Sequence, residues 1–239
     1  MSRNVLLAGA TGGIGGALLR ELLGDPGVGR IFATAREGVG EAHPNVSWLA
    51  LDYCAPETIQ CVADSVATQV AALDQLIVAT GYLHGEQGQP EKSLVALDAN
   101  HMEHCFKVNA AGPLSLFARL APLLKQANAP QIAFLSAQVG SIEDNHLGGW
   151  YSYRMSKAAL NMGIKSASVE VERWGKGASV FAVHPGTTHS RLSEPFVARR
   201  KARVRSAAET AHSLYRLFGS LSAESNGSFL TAEGEALPW

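Results

Sequence analysis

Short runs dense in Val, Ile, Leu and Phe alternate along the chain with longer segments whose apolar residues recur at helical spacing. The short runs predict strands at 4–8, 30–35, 46–50, 75–79, 131–135, 178–183 and 228–230. The longer segments predict helices at 15–23, 56–70, 101–109 continuing to 126, 152–173 and 207–221. The runs are apolar throughout rather than alternating, so both faces of the resulting sheet are buried. The pattern predicts an α/β fold: a single domain with a doubly wound, mostly parallel seven-stranded sheet and helices on both faces. Three polar segments, 81–93, 141–150 and 187–206, interrupt the alternation after strands. Ligands bind beyond the carboxyl ends of such strands, so these segments are candidate walls of a site.

Composition narrows the class. The 239 residues suit one large α/β domain, and a formal net charge of −1 gives no general electrostatic reason to bind nucleic acid. Three cysteines without CxxC spacing indicate neither a disulfide framework nor a zinc site, and fit a reducing, cytoplasmic setting. No stretch approaches the roughly 18 uninterrupted apolar residues of a membrane span. The apolar start, MSRNVLLAGATGGIGGALL, could mimic a leader, but its glycines fall at motif spacing and it reads as structure.

The first strand runs into AGATGGIGG just before a helix. Glycines there let the backbone approach a ligand, and a helix N-terminus offers unpaired N–H groups to a phosphate. Gly9, Gly13 and Gly15 fit G-x-x-x-G-x-G, whereas Gly9, Gly12 and Gly15 fit G-x-x-G-x-x-G. After the second strand stands Arg36, with no preceding acid to accept from an adenosine ribose. A guanidinium suits a 2′-phosphate, which favours NADP(H) over NAD(H). Asp52, just after the third strand, is placed to approach the adenine edge.

Residues 149–161, GWYSYRMSKAALN, carry the candidate chemistry. Tyr153 and Lys157 are four apart and share a helix face, whereas Tyr151, six from the lysine, falls on another. A free tyrosine has a pKa of about 10, and an adjacent ammonium is expected to lower it toward a useful range.

These motifs together resemble the short-chain dehydrogenases/reductases. GATGGIG, Asn109 in KVNAAG, Tyr153-x-x-x-Lys157 and the Pro185–Gly186 turn in HPGTT occur in that family's order over essentially the whole chain. The segments GSIEDNHLGGWYSYRMSKAALN and EGEALPW resemble the C-factor-type and sniffer-like carbonyl reductase branch. The resemblance implies a Rossmann fold binding nicotinamide through Gly9, Thr11, Gly12, Gly13, Ile14, Gly15, Gly81, Pro185, Gly186, Thr188 and Ser190. It implies transfer of hydride to a small carbonyl substrate, or from an alcohol. Tyr153 would be the general acid, Lys157 would grip the nicotinamide ribose, and Asn109 would order a proton-relay water. It also implies homodimers or homotetramers built through the helices at 110–126 and 152–173.

Two positions depart from the family. Val78-Ala79-Thr80-Gly81 replaces the NNAG motif, keeping the glycine. More consequentially, Ala137 occupies the position of the serine that hydrogen-bonds the substrate carbonyl, with Ser136 before it and Ser141 beyond Gly140 as candidate substitutes. This keeps open a second class, a weakly active or non-catalytic nucleotide-binding regulatory protein. An epimerase reading would use the same Tyr and Lys; the Pro-Gly turn and the chain length argue against it. Arg191, Arg199, Arg200, Lys201, Arg203 and Arg205 crowd one loop and read as a solvated face. His101 and His104, a turn apart without recurring acidic or cysteine partners, read as surface residues and not as metal ligands.

Overall fold

The structure is a computed structural model that describes residues 2–197 and 204–239. Its strands are β1 (Arg3–Ala8), β2 (Val28–Ala35), β3 (Val46–Ala50), β4 (Gln75–Val78), β5 (Gln131–Leu135), β6 (Ser179–His184) and β7 (Phe229–Thr231). They form one sheet in the order β3-β2-β1-β4-β5-β6-β7, and every ladder is parallel. The sequence predicts a mostly parallel sheet; among the described residues no antiparallel strand interrupts it.

The helices are α1 (Gly13–Leu23), α2 (Pro56–Ala67), α3 (Ala99–Phe106), α4 (Gly112–Leu124), α5 (Tyr151–Glu172), α6 (Glu194–Val197) and α7 (Ala207–Ser220). They cover both faces. Leu6, Phe32, Leu76, Phe134 and Val180 point into a core shared with α2, α4 and α5. Val5, Leu7, Ile31, Ile77 and Phe181 point into a second core closed by α1 and α7. This period-two division produces the unbroken apolar runs. Burying one such side chain contributes about 2 kcal/mol, so the two cores fix the sheet firmly enough to position loops at its edge.

Element ends deviate from expectation for local reasons. The helix expected from 101 begins at Ala99, because the Asp98 carboxylate accepts from the Asn100 and His101 N–H groups. It does not run straight to 126. Residues Lys107–Ala111 form a π-helical segment between α3 and α4, a feature frequent at functional sites. The helix expected to reach 70 stops at Ala67. Among the described residues, no helix is long and apolar enough to cross a membrane.

Candidate active site

The strand order reverses direction between β1 and β4, and the loops after these two strands open a crevice at that switch point. The glycine turn lies there. Gly9 has φ +85°, and a Cβ on it would stand 2.9 Å from Thr80 Cγ2. A Cβ on Gly15 would stand 2.1 Å from the Gly9 carbonyl oxygen, so α1 can approach the end of β1 only with glycine at this position. Gly12 precedes α1 in extended conformation without a side-chain cap, and its first turn holds no acid. The positive end of α1 is thus left for an anion.

From the other side, the loop after β6 closes on this turn: a Cβ on Gly13 would touch Ser190 Cβ at 3.2 Å. Gly186 has φ +78°, which explains the glycine after Pro185. Thr188 is buried, its hydroxyl paired with that of Thr210 at 2.8 Å. Just beyond β3, Asp52 Oδ1 accepts from the Cys54 N–H at 2.8 Å. Arg36 is exposed just beyond β2. These residues fit a dinucleotide: a bare helix N-terminus for its pyrophosphate, Arg36 for a 2′-phosphate, and glycines where a Cβ would fill the cradle.

Tyr153 and Lys157 both lie on α5 and both are buried, at 7% and 2% exposure. Lys157 Nζ is 6.0 Å from the tyrosine ring centre and donates to the Leu135 carbonyl at 2.9 Å. An ammonium has three donors, so two remain for ribose hydroxyls or water. A Cβ on Gly81 would lie 3.9 Å from Nζ, which places that glycine beside the lysine. Burial lowers the Lys157 pKa to about 8, and burial pushes the Tyr153 phenol well above its ordinary value. This runs against the expectation of a lowered tyrosine pKa: in the free chain desolvation sets the direction and Cys105 adds to it.

Asn109 sits in the π segment, wholly buried. Its Oδ1 accepts from the Tyr82 N–H at 2.7 Å, and its Nδ2 donates to the Tyr82 carbonyl and to Ser156 Oγ. Ser156 in turn donates to the Tyr153 carbonyl at 2.8 Å. Asn109 is therefore tied to the tyrosine's own backbone.

Ala137 packs in a small apolar cluster with Leu83 and Tyr153, flanked by Val139, Trp150, Leu192 and Phe196. The two nearby serines are engaged elsewhere. Ser136 Oγ donates to Asn161 Oδ1 at 2.6 Å, and Ser141 Oγ donates to the Trp239 carbonyl at 3.2 Å. The three loops meet over Tyr153. The Trp150 ring is edge-on to Tyr153 and to Phe196, and the His84 ring is edge-on to Phe196. His84 Nε2 also donates to the Arg191 and Leu192 carbonyls. His84, Trp150 and Phe196 escape the sequence reading because loop conformation rather than periodicity brings them here; Ser156 lies on α5 one turn from Tyr153, and its bond to Asn109 has no sequence signature.

His101 corrects another expectation. It is 1% exposed, with Nε2 3.7 Å from Cys105 Sγ, while His104 is half-buried against Tyr82. Within the basic run, Arg205 pairs with Glu233, whereas Arg199, Arg200, Lys201 and Arg203 lie outside the described residues.

Comparison with known proteins agrees with this geometry. Residues 3–201 match the family model for short chain dehydrogenases. The C-signal protein of Myxococcus xanthus is 31% identical over 143 residues, covering 60% of this chain and 81% of its own. An NADPH-bound carbonyl reductase from chicken fatty liver superposes with a TM-score of 0.88 at 27% identity, covering 100% of this chain and 94% of its own. The carbonyl reductase Sniffer of Drosophila melanogaster gives 0.87 at 23% identity with full coverage of both chains, a likeness of fold. The chain belongs to the short chain dehydrogenase family, as an oxidoreductase related to the C-signal protein.

Proposed function

We propose that the protein is an NADPH-dependent reductase of small carbonyl compounds in which Tyr153 is the general acid. The observation that carries this reading is the burial of Tyr153 and Lys157 on one helix face, with Lys157 beside Gly81, in the loop whose residues Ala79 and Thr80 pack on Gly9 of the glycine turn. When bound, the reduced nicotinamide supplies the hydride. The glycine turn from Gly9 to Gly15, with Thr11 and Ile14, would hold the pyrophosphate, and Arg36 the 2′-phosphate. Lys157 would hold the nicotinamide ribose with its free donors. Gly81, Pro185, Gly186, Thr188 and Ser190 would border the nicotinamide, and Asp52 the adenine.

Burial keeps the phenol protonated in the free chain but makes it a weaker acid, so the bound cofactor and Lys157 would have to bring it back toward the operating pH. A protonated phenol suits reduction, where an oxygen gaining negative charge must take a proton. The similarity to an NADPH-bound carbonyl reductase supports the choice of cofactor. Replacing Tyr153 by Phe should abolish turnover while leaving NADPH affinity unchanged; retained turnover would overturn the role.

Ala137 favours a second reading, a nucleotide-binding regulatory protein. Ser136 and Ser141 hold their hydroxyls on other partners, so Tyr153 stands as the single side-chain donor among the named candidates. That reading predicts tight NADPH binding without turnover on any carbonyl.

Assembly into dimers through α4 and α5 fits the surface as well. Met155, Met162 and Val169 leave 40%, 64% and 52% of their surface exposed along one stripe of α5.

A further inference from the structure

Glu91 is a carboxylate with 4% exposure in the segment between β4 and α3, and the mechanism above does not use it. It spans to the start of α5. Its Oε2 accepts from the Ser152 N–H at 3.1 Å, and its Oε1 accepts a short hydrogen bond from the Ser152 hydroxyl. Its backbone carbonyl accepts from the Trp150 N–H at 2.5 Å. Among the described residues no cation forms an ion pair with it. Compensation comes instead from the two hydrogen bonds and the positive end of a 22-residue helix.

The residues it grips are conformationally unusual. Gly148, Gly149 and Trp150 have φ of +62°, +64° and +51°, three successive left-handed residues before α5. For tryptophan that conformation is costly and persists only where its surroundings impose it. Trp150 offers no side-chain cap to α5, so Ser152 depends on Glu91 for its N–H partner. Tyr153 follows Ser152 directly. The other end of the same segment is held at Tyr82 by the Asn109 side chain. Both ends of this segment are thus fastened to the stretch of α5 that carries Tyr153.

We infer that Glu91 is a positioning residue: its carboxylate fixes the first turn of α5 through Ser152, beside the Trp150 N–H held by its backbone carbonyl, and through that turn it places the Tyr153 hydroxyl. The inference rests on the reductase reading for its catalytic consequence and on geometry alone for the anchoring. As mere packing a lone buried carboxylate is a poor element, since apolar residues of similar volume in such places are often neutral or stabilising. Misplacing a reacting group by about 1 Å can cost on the order of a hundredfold in rate.

The test uses Glu91→Met and Glu91→Gln in the full chain. Gln retains the acceptor for the Ser152 N–H and can donate to its hydroxyl, whereas Met retains only volume. In Glu91→Met, amide hydrogen exchange should rise at 150–153 and stay unchanged over 160–172. Its kcat should fall about tenfold to a hundredfold with NADPH Kd unaltered. Glu91→Gln should restore most of both. Unchanged exchange at 150–153, or raised exchange with unchanged kcat, would overturn the inference. A uniform rise along α5 with weakened NADPH binding would also overturn it, by assigning Glu91 a general structural role. A wild type without turnover on any carbonyl would overturn the reductase reading and the catalytic half of the inference; exchange at 150–153 would still decide the anchoring.

Discussion

Tyr153 and Lys157 are buried together, and burial drives each toward its neutral form. For the lysine, displacement from 10.5 to about 8 corresponds to about 3 kcal/mol of instability while it is charged. Between those two pH values the unfolded chain holds a proton that the folded chain has released, so stability rises with pH through the window. Denaturant unfolding of the wild type and of Lys157→Met should show it: from pH 8 to 10.5 the wild type gains about 3 kcal/mol more than the variant. Equal gains would show that the lysine is solvated. Ala137 allows the converse test. A serine there would add the second donor to the carbonyl oxygen, and Ala137→Ser should raise kcat at least about tenfold, by analogy with oxyanion donors. No gain in a variant that binds NADPH would show that the substrate or another group already supplies that contact.

At the level of elements, the glycine turn and the first turn of α5 set the site. Gly15→Ala would drive a methyl into the Gly9 carbonyl, 2.1 Å away, and force α1 off the end of β1. It should cost about 1 to 3 kcal/mol in unfolding stability and weaken NADPH binding; an unchanged Kd would remove the turn from the cofactor site. These two elements were also the most legible in the sequence. Glycine spacing and a four-residue Tyr–Lys interval are local, and the unbroken apolar runs specified all seven strands to within a few residues. What the sequence concealed depends on distant partners. The π segment at Lys107–Ala111 has no periodic signature, and the Asn109 link to Tyr82 joins residues 27 apart. Glu91 read as one more acid in a polar loop, because its burial depends on where α5 starts. His101 read as exposed because its burial comes from a loop glycine, Gly88, that packs against its ring.

For the whole molecule, the parallel order β3-β2-β1-β4-β5-β6-β7 places the glycine turn, Gly81 and the loop after β6 at one sheet edge, where under the proposed reductase reading dinucleotide and substrate would meet at Tyr153. A groove of about 640 Å3 between α4 and α5 is lined by Leu114, Phe117, Ala121 and Trp174. The exposed stripe of Met155, Met162 and Val169 is a separate surface of α5, and none of its residues lines the groove. Light scattering on Met162→Glu should report monomers where the wild type is dimeric; an unchanged mass would place the contact elsewhere. The central claim concerns the tyrosine. The most direct measurement is NADPH consumption with a panel of aldehydes, ketones and diketones, run on the wild type and Tyr153→Phe, with NADPH Kd determined for both. The wild type should turn over, the variant should not, and the two Kd values should be equal. Tight binding without wild-type turnover, or turnover surviving in Tyr153→Phe, would contradict it.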